Sequence, residues 1–508
     1  MPKLWILVSF SALVAAPSLA AAGAPAAFDV AQYGAAGDGK ALDSPAINKA
    51  IDAAAAAGGG TVYFPAGTFL SGSIHLKSNV ALYLEQGSTI LATDDHAAYD
   101  AAEPNEFDKF QDFGHSHFHN SLIWGENLEN ISILGPGRIY GKGLIRNTSQ
   151  PTGNKAIALK LCRNVTIKDI SILMGGWFAI LATGVDNLTI DNIKIDTNRD
   201  GMDIDSDRNV RISNVSVNSP YDDGICLKSD YALGFPRATE NVTITNSQVS
   251  GYDNGTFLDG TFGRKQVYNN AGSNAGPTGR LKFGTESNGG FKNITISNVV
   301  FDYCRGLALE TVDGGLLEDV TISNVTMRDI FNSPIFLRLG SRMRAPEGFP
   351  VGSLRRINIS NFVVYNADPR YGSIISGIPG HDIEDVKLNN IRIYYQGGGT
   401  KQQAALVPPE DEKTYPEPRM FGDIPAYGFF IRHVKGIEMN DVHISYLKED
   451  LRPAILVEDV QGMEFNNLKA QHADGVPALV LNNVQDFMIS QSPSIADASL
   501  KAVKHQEY

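Results

Sequence analysis

One nine-residue phrase recurs along this chain and limits the folds that the chain can adopt. The phrase begins with Asn, continues with an aliphatic residue, Thr or Arg, and Ile, and carries Asp or Asn at its centre. Clear copies begin at Asn164, Asn187, Asn209, Asn241 and Asn293. Looser copies begin at Asn130, Asp319, Ile357, Asp385, Gly436 and Gly462. Apolar and polar residues alternate within each copy, which predicts short strands with one buried face.

The spacing of the copies predicts a solenoid. The closest copies are 23 residues apart, from Asn164 to Asn187, and 22 residues apart, from Asn187 to Asn209. A coil of that length, with three short strands and turns, cannot bury its apolar face alone and must stack on its neighbours. The central polar residue suits a turn, and asparagines that recur at one position can form hydrogen-bonded ladders. The sequence therefore predicts an all-β chain, folded as a single right-handed parallel β-helix.

The first residues have the order of a secretory signal peptide. Lys3 is followed by an apolar run over Leu4–Ala16, and a small-residue stretch ends at Ala20. The apolar run is too short to span a bilayer. We predict a signal peptide at residues 1–22 and a β-helix domain at residues 23–508. Because no later segment is apolar for long enough to cross a membrane, we expect a soluble chain that is secreted or periplasmic.

A short helix is predicted to cap the N-terminal end of the solenoid. Ser44 can act as the N-cap, and Pro45 suits the first helical position. The helical run continues through Ala57 and ends at the glycines Gly58–Gly60. Such a helix covers the open edge of the first coil, which is otherwise free to pair with another chain.

Charge and cysteine content exclude some classes of partner. The formal net charge is −13 at pH 7, whereas nucleic acids and anionic membranes are bound by basic surfaces. Net charge does not describe the local field of a cleft, so a polyanionic polysaccharide stays a candidate substrate. Cys162, Cys226 and Cys304 are odd in number and widely spaced, which argues against a disulfide framework. We expect them to be small buried residues.

Three aspartates fall about one coil apart. Asp200 follows the copy at Asn187, and Asp222 and Asp223 follow the copy at Asn209. Asp200 and Asp222 are 22 residues apart, which is the local repeat. Residues at equal phase in successive coils lie about 4.8 Å apart. We therefore expect Asp200, Asp222 and Asp223 to crowd together on one face.

Charge repulsion within such a cluster of aspartates destabilises the fold, so a functional reason for the cluster is expected. A single aspartate in a turn most often forms an Asx-turn. Like charges 4–5 Å apart repel by about 3–4 kcal/mol at an effective dielectric of 20. Glycoside hydrolysis needs this arrangement, with one carboxyl protonated as an acid and another ionised as a base. A bound calcium ion is the structural alternative.

Several stretches match motifs of one family. Phe28–Gly34 and Gly58–Gly67 match its opening, Asn198-Arg199-Asp200 matches its N-T-D motif, and Asp222-Asp223 matches its D-D motif. In these respects nearly all of the predicted mature chain resembles glycoside hydrolase family 28, the polygalacturonases. The resemblance implies an inverting hydrolase of pectin-type polysaccharide, with Asp222 as general acid and with Asp200 and Asp223 holding the attacking water. It implies no cofactor and no metal, and we expect a monomer.

Two other family motifs are replaced. Thr278 stands where the family has the histidine of G-H-G, and Ala308-Leu309-Glu310 stands where it has R-I-K, whose cations bind a galacturonate carboxylate. Other side chains must then contact the sugar. We predict the substrate-binding set Arg199, Lys228, Thr278, Arg280, Lys282, Glu286 and Glu310. The replacements favour an exo-acting or rhamnogalacturonan-directed variant.

The alternate histidines His117 and His119 complete the predicted sugar contacts. Alternate residues of a strand point to one side, but zinc sites gather a third or fourth ligand, and no partner motif is present. Two other functions stay open. One is pectate-lyase-type β-elimination, which needs calcium and a strong base. The other is a non-catalytic glycan-binding β-helix.

Overall fold

The computed structural model describes residues 1–2, 27–146, 153–266 and 276–508. The predicted signal peptide lies outside these residues except for its first two positions. The helices of the described chain are α1 (Ser44–Ala56), α2 (Phe113–Ser116) and α3 (Lys401–Ala404). Short 3₁₀ helices lie at Val30–Tyr33, His96–Ala98, Asp108–Phe110 and Pro418–Phe421. Within the described ranges, no helix is both long enough and apolar enough to cross a membrane.

Strands make up 53% of the structure, and the described residues form 33 of them in one continuous sheet. The strands are β1 (Ala27–Asp29), β2 (Asp38–Leu42), β3 (Gly60–Phe64), β4 (Gly67–Ser71), β5 (Ile74–His75), β6 (Val80–Leu84), β7 (Ser88–Ala92), β8 (Ile123–Glu126), β9 (Glu129–Leu134), β10 (Arg138–Tyr140), β11 (Lys155–Lys160), β12 (Arg163–Lys168), β13 (Ser171–Leu173), β14 (Phe178–Thr183), β15 (Asp186–Asp191), β16 (Lys194–Asp196), β17 (Asp200–Asp205), β18 (Arg208–Ser213), β19 (Ser216–Asn218), β20 (Ile225–Ser229), β21 (Thr239–Ser250), β22 (Leu281–Ser287), β23 (Phe291–Asp302), β24 (Arg305–Thr311), β25 (Leu316–Leu339), β26 (Ser353–Ala367), β27 (Ser373–Ser376), β28 (Ile383–Gly397), β29 (Phe429–Lys448), β30 (Ile455–Asn466), β31 (Lys469–Ala470), β32 (Leu479–Ser490) and β33 (Ala498–Glu507).

The strands stack in three rows around a common core. The first row starts with β1, β3, β6 and β9, the second with β2, β4, β7 and β10, and the third with β5, β8, β11 and β14. Strands within a row pair in parallel. From β21 onward the strands are longer, because β21 pairs with both β18 and β19 and so runs through the first two rows. The predicted right-handed parallel β-helix is confirmed.

Asparagine ladders fix the turns of the coils. Asn187 donates to Asn164 at 2.9 Å and accepts from Asn209 at 3.3 Å. The same ladder joins Asn79, Asn130, Asn164, Asn187, Asn209, Asn241 and Asn293. Asn187 has a φ of +58°, a left-handed conformation that asparagine tolerates better than most residues. The predicted ladders are therefore confirmed, and they explain why Asn begins the clear copies of the repeat.

The interior of the coils is a continuous apolar core. The alternating residues of each repeat supply it, as Leu188 and Ile190 of β15 do together with Val210 and Ile212 of β18. Cys162, Cys226 and Cys304 are free and buried, as the sequence predicts. Burial of this kind in every coil supplies the main stabilisation of the fold.

Helix α1 caps the N-terminal end, with one difference from the prediction. Its N-cap is Asp43 and not Ser44, which is already the first helical residue. The Asp43 carboxylate accepts from Ala36 N at 2.6 Å and Gly37 N at 3.1 Å. Asp43 therefore ties the preceding loop to the helix start. At the other end, β33 pairs antiparallel with β32 and covers the last coil.

The outward side chains of the third row change along the β-helix from apolar to polar and back to apolar. In register order they are His75, Trp124, Ala158, Leu181, Asp203, Cys226, Lys282, Ala308, Phe336, Ile374, Phe430, Leu456 and Val480. The apolar stretch around Leu181 is covered by an aromatic cluster that includes Phe118 and Trp177. The stretch after Lys282 is covered by Phe421 and Ile424. The middle of the row is therefore a polar segment between two covered apolar segments.

Candidate active site

The polar residues gather where the chain enters the third row. Asp200 begins β17, Asp222 and Asp223 lie in the turn before β20, Arg280 directly precedes β22, and Arg305 begins β24. These strands are successive neighbours in the row. The entry turns therefore stack at intervals of about 4.8 Å, which brings side chains from four coils to one place.

A cavity of about 850 Å³ opens at these turns. Its lining consists of Ile145, Arg146, Arg199, Tyr221, Asp222, Thr278, Arg280, Lys282, Arg305, Tyr415, Glu417 and Arg419. Six of these side chains are cationic and two are carboxylates. The cavity is therefore electropositive, although the chain as a whole carries a net charge of −13.

The three predicted aspartates meet at this cavity. One carboxylate oxygen from each of Asp200, Asp222 and Asp223 lies within 4.8 Å of the other two. Asp200 and Asp223 are buried, whereas the Asp222 side chain is 35% exposed and lines the cavity. Asp222 is therefore the member of the cluster that an incoming ligand meets first.

The register differs by one residue from the predicted register. Met202 of β17 pairs with Ile225 of β20, an offset of 23 residues, and Gly201 N donates to Asp223 O at 2.9 Å. Asp223, and not Asp222, therefore occupies the position of Asp200 in the next coil. The prediction that Asp222 shares the phase of Asp200 is wrong because the turn before β20 is one residue longer than the turn before β17.

The two buried aspartates have opposite electrostatic environments. Burial, together with the nearby Asp222 and Asp203 carboxylates, raises the pKa of Asp200 well above its ordinary value. Burial also opposes ionisation of Asp223, but Lys282 and Arg280 outweigh it and lower the pKa of Asp223. Lys282 Nζ lies 3.2 Å from Asp223 Oδ2, and Arg280 Nε donates to Asp223 Oδ1 at 2.8 Å. Asp223 is thus held ionised, whereas the neighbouring Asp200 favours its protonated form.

The three carboxylate oxygens lie within 4.8 Å of one another, a spacing that a metal ion or a water molecule could bridge, and the neighbouring cations favour water. A water that makes two hydrogen bonds of about 2.8 Å bridges oxygens roughly 4.5–5 Å apart. Arg199 Nε lies 3.3 Å from Asp222 Oδ2 and 3.7 Å from Asp200 Oδ2. Because cations already neutralise the cluster, it offers a divalent ion less net negative charge than an acidic calcium loop does.

Glu417 connects several of the cavity cations from a distant part of the chain. It accepts from the Arg280 guanidinium, from Arg305 Nη1 at 3.0 Å and from Asn332 Nδ2 at 3.0 Å. Arg280, Arg305 and Lys282 outweigh the effect of burial and lower the pKa of Glu417 to about 2. Glu417 therefore orients the guanidinium that contacts Asp223.

The two positions that depart from the family motifs have different locations. Thr278 is 3% exposed and lines the cavity beside Arg280. Glu310 is fully buried beneath the cavity, with Lys282 Nζ 3.6 Å from Oε2. Burial raises the pKa of Glu310 to about 7, against the lowering effects of Lys282 and Arg280. Glu310 therefore lies behind Lys282 and does not line the cavity.

Lys228 and Glu286 belong to a separate buried network. Lys228 Nζ donates to Glu286 Oε2 at 2.8 Å, and Arg344 also pairs with Glu286. His115 Nε2 contacts Asp203 Oδ2 at 2.9 Å in the same region. Neither Lys228 nor Glu286 lines the cavity, so the structure places these two predicted sugar contacts beneath the site.

The two predicted histidine contacts also lie elsewhere. His117 is 6% exposed, its Nδ1 is 2.5 Å from Glu103 O, and its ring centroid is 4.2 Å from that of Phe113. His119 pairs with Glu126 at 2.8 Å and lines a second cavity. Of the predicted substrate-binding residues, Arg199, Thr278, Arg280 and Lys282 line the aspartate cavity.

Sequence analysis missed seven of the twelve residues that line the cavity. Arg146, Tyr221, Arg305, Tyr415, Glu417 and Arg419 all line it, as does Ile145. Tyr415, Glu417 and Arg419 come from the segment between β28 and β29, which carries no copy of the repeat. A local signal existed only for Tyr221, which directly precedes the two aspartates.

Fold and site together define a class. The chain is a right-handed parallel β-helix protein with an aspartate-containing cleft on one sheet. The family described as rhamnogalacturonase A/epimerase, pectate lyase-like, matches residues 27–174, and the right-handed β-helix region matches residues 114–272. Within that class the chain is similar to glycoside hydrolase family 28, so the predicted resemblance is confirmed.

Individual relatives support this similarity. The probable polygalacturonase of Vitis vinifera is 23% identical over 71% of this chain and 73% of its own length. The exo-poly-alpha-D-galacturonosidase of Dickeya chrysanthemi is 30% identical over 48% of this chain, and the match spans 39% of that protein. The solved structure of a family 28 exopolygalacturonase from Yersinia enterocolitica superposes with a TM-score of 0.63 at 17% identity, covering 87% of this chain and 78% of that one.

Relatives with other names also match. The plasmin and fibronectin-binding protein A of Streptococcus pneumoniae is 33% identical over 44% of this chain and 31% of its own length. Mannuronan C5-epimerase AlgE1 of Azotobacter vinelandii is 62% identical over 9% of this chain. Function must therefore be argued from the site and not from the fold.

Proposed function

We propose that this chain hydrolyses pectin-type polysaccharide at the aspartate cavity. The observation that carries the proposal is an electropositive cavity in which one half-exposed carboxyl, Asp222, lies beside an ionised one, Asp223. A polyanion is drawn to such a cavity, and a pair of carboxyls is what cleavage of a glycosidic bond requires. The names of the polygalacturonase relatives agree with this substrate class.

The proposed reaction divides the work among the three aspartates. Asp222 donates a proton to the glycosidic oxygen as the bond from the anomeric carbon to that oxygen breaks. A water between Asp200 and Asp223 attacks the anomeric carbon from the opposite side. Asp223, kept ionised by Arg280 and Lys282, accepts the proton that the water loses. Attack opposite the leaving group inverts the anomeric configuration.

Cations that replace the missing family motif account for binding of a uronate. Arg280, Lys282 and Arg305 line the cavity although Glu310 occupies the motif position. Arginine forms bidentate contacts with carboxylates. We propose that these side chains bind the carboxylate of a galacturonate residue, with Glu417 fixing the orientation of both arginines.

We further propose that the enzyme acts on chain ends. The polar segment of the third row is bounded by the aromatic cluster around Phe118 on one side and by Phe421 and Ile424 on the other. An endo-acting enzyme needs an open groove for polymer on both sides of the cut. A bounded cavity accepts a terminus more readily than the middle of a chain.

The experiment that tests this function measures the products from polygalacturonate, rhamnogalacturonan oligosaccharides and neutral arabinogalactan, with a chelator present. We expect saturated reducing ends from at least one uronate-containing substrate and none from arabinogalactan. Unsaturated, ultraviolet-absorbing products would instead assign the chain to the lyases. Absence of product from all three substrates would support a glycan-binding function.

A further inference from the structure

A second cavity lies on the same face of the β-helix, nearer to its N-terminal end. Its volume is about 540 Å³, which is within the roughly 300–1,000 Å³ range of small-ligand sites. Side chains from β5 and β8, from the residues just after each of these strands, and from the segment between β7 and β8 line it: His75, Leu76, Lys77, Asp100, His119, Trp124, Glu126 and Leu128. None of these residues lines the aspartate cavity.

The aromatic cluster separates the two cavities. Trp124 and Asp203 occupy the same outward row, with Ala158 and Leu181 between them. Phe118, Trp177 and Phe178 pack with these two apolar residues. A ligand in the second cavity is therefore distinct from one at the aspartates, and its binding does not depend on the proposed hydrolysis.

The polar side chains of the second cavity are fixed by their neighbours. Asp100 Oδ2 contacts His75 Nε2 at 2.7 Å and accepts from Trp124 Nε1 at 2.8 Å. Glu126 contacts His119 Nε2 at 2.8 Å and Lys160 Nζ at 3.0 Å. Within the described residues, Asp100 Oδ1 and His75 Nδ1 have no hydrogen-bond partner. The cavity thus offers planar polar groups whose orientations are fixed and which can still form hydrogen bonds with a ligand.

Rings and apolar groups form the rest of the lining. The His119 ring stacks on Trp124 with centroids 4.0 Å apart and planes 22° apart. The His75 side chain is 40% exposed, and Leu128 adds an apolar surface. Ring faces beside fixed carboxylates suit a ligand that has both C–H faces and hydroxyl groups.

Charge and geometry exclude two other ligands. The carboxylates Asp100 and Glu126 outnumber the one lysine of the lining, Lys77, whose Nζ lies 3.6 Å from Asp52. The cavity therefore disfavours a polyanion, in contrast to the aspartate cavity with its six cations. Each imidazole pairs with its own carboxylate. The second excluded ligand is a metal ion. Among the described residues, neither cluster of closely spaced metal-ligating atoms includes His75, Asp100, His119 or Glu126.

We propose that this second cavity binds an uncharged sugar, a pyranose unit of a neutral oligosaccharide. The hydroxyl groups donate to Asp100 and Glu126, and the C–H face of the sugar ring lies against the aromatic rings of the lining. The site holds a neutral part of a glycan while the aspartate cavity is free to bind a uronate.

Tryptophan fluorescence and calorimetry test the proposal on the full exported chain. Trp177 is fully buried, so among the described tryptophans Trp124 is the one that a ligand can quench. The probes are neutral galactan oligosaccharides of two to four galactopyranose units, with trigalacturonate for comparison. We expect saturable binding of a neutral probe, weakened at least about tenfold in Glu126→Ala and in Asp100→Ala.

Two controls keep the result specific. Asp222→Asn should bind the neutral probe normally while losing turnover, which separates this site from the proposed catalysis. Thermal unfolding identifies any cavity variant that fails to fold, and His75→Ala serves in place of such a variant. The proposal is overturned if no neutral probe binds, if the cavity variants bind it normally, or if trigalacturonate alone binds.

Discussion

Asp200 and Asp223 show how neighbouring side chains of one type acquire different properties. Both are buried at the same cavity. At Asp223 the neighbouring cations outweigh burial and lower the pKa, whereas at Asp200 burial and neighbouring carboxylates outweigh Arg199 and raise it. Environments that move two pKa values apart are the usual basis for assigning different roles to two acids. In the proposed reaction, the role of Asp223 as the base therefore depends on Arg280 and Lys282.

Glu310 provides a test of this electrostatic description through stability. Its pKa is about 7 in the folded chain against an ordinary value of 4.5, so folding favours its protonated form. The resulting stabilisation is complete below the unfolded value and is lost as the pH rises through the folded value. The loss is on the order of 3 kcal/mol.

Glu310→Gln stays neutral at every pH and should avoid this loss. We expect the free energy of unfolding of the variant, relative to the unmodified protein, to rise by on the order of 3 kcal/mol between about pH 4.5 and about pH 8. Denaturant unfolding at both pH values measures it. The exposed Glu384→Gln is the matched control, and an equal effect of Glu310→Gln at both pH values would refute the assignment.

Arg146 tests the recognition of an anionic substrate. It is exposed, lines the cavity, and lies over Tyr221 with 4.6 Å between the guanidinium carbon and the ring centroid. Arg146→Gln should raise KM for galacturonate oligomers about five- to tenfold, because a charge-assisted contact contributes about 1–1.5 kcal/mol. Lys142→Gln removes the same charge outside the cavity, and an equal change in KM for both variants would argue against a direct contact.

At the residue scale, the catalytic candidates were predictable and their surroundings were not. Asp200 and Asp223 occupy equivalent positions in successive coils, and Asp222 adjoins Asp223. Sequence analysis therefore brought the three aspartates together, although it matched Asp222 to Asp200. Glu417 lies 194 residues beyond Asp223 in a segment without repeats, and only the folded loop brings it to Arg280. Glu286 looked like a site residue because it follows the Thr278 region, but its side chain turns to Lys228.

At the scale of single elements, the asparagine ladder is the feature that sequence predicts best. Identical residues at identical phase must stack when coils stack, and the amide can both donate and accept. The exact register of β17 on β20 was less predictable, because one extra residue in a turn shifts a whole strand. Turn length is not encoded in the strand pattern.

Asn187 permits a test of the ladder. Asn187→Ala removes two hydrogen bonds and places alanine at a φ of +58°, so we expect a loss of about 2 kcal/mol in the free energy of unfolding. Asn187→Gly removes the same bonds but tolerates that conformation, and it should lose about 1 kcal/mol less. Urea unfolding midpoints compare the two, and equal losses would mean that backbone conformation does not contribute.

At the scale of the whole molecule, the loops decide how much polysaccharide the sheet can contact. The segment before β8 and the segment before β29 cover the third row on either side of the aspartates. Neither segment contains the repeat, so sequence analysis could predict the solenoid but not the closure of its cleft. The segment before β8 both bounds the cleft on one side and contributes to the lining of the second cavity.

This closure predicts the pattern of products. Chain-end cleavage of polygalacturonate should release small oligomers from the first turnovers, while the viscosity of the solution falls little for each reducing end formed. Chromatography of early products with parallel viscometry measures both quantities. A rapid fall in viscosity with a ladder of intermediate lengths would show that polymer passes through the cleft on both sides.

The most direct test of the central claim compares the unmodified chain with Asp222→Asn on the uronate substrate that gives product. We predict that the variant folds, binds that substrate with a dissociation constant within about twofold, and releases saturated product at least about 100-fold more slowly. Turnover by Asp222→Asn at the rate of the unmodified chain would contradict the account, because the aspartate cavity would then not be the site of cleavage.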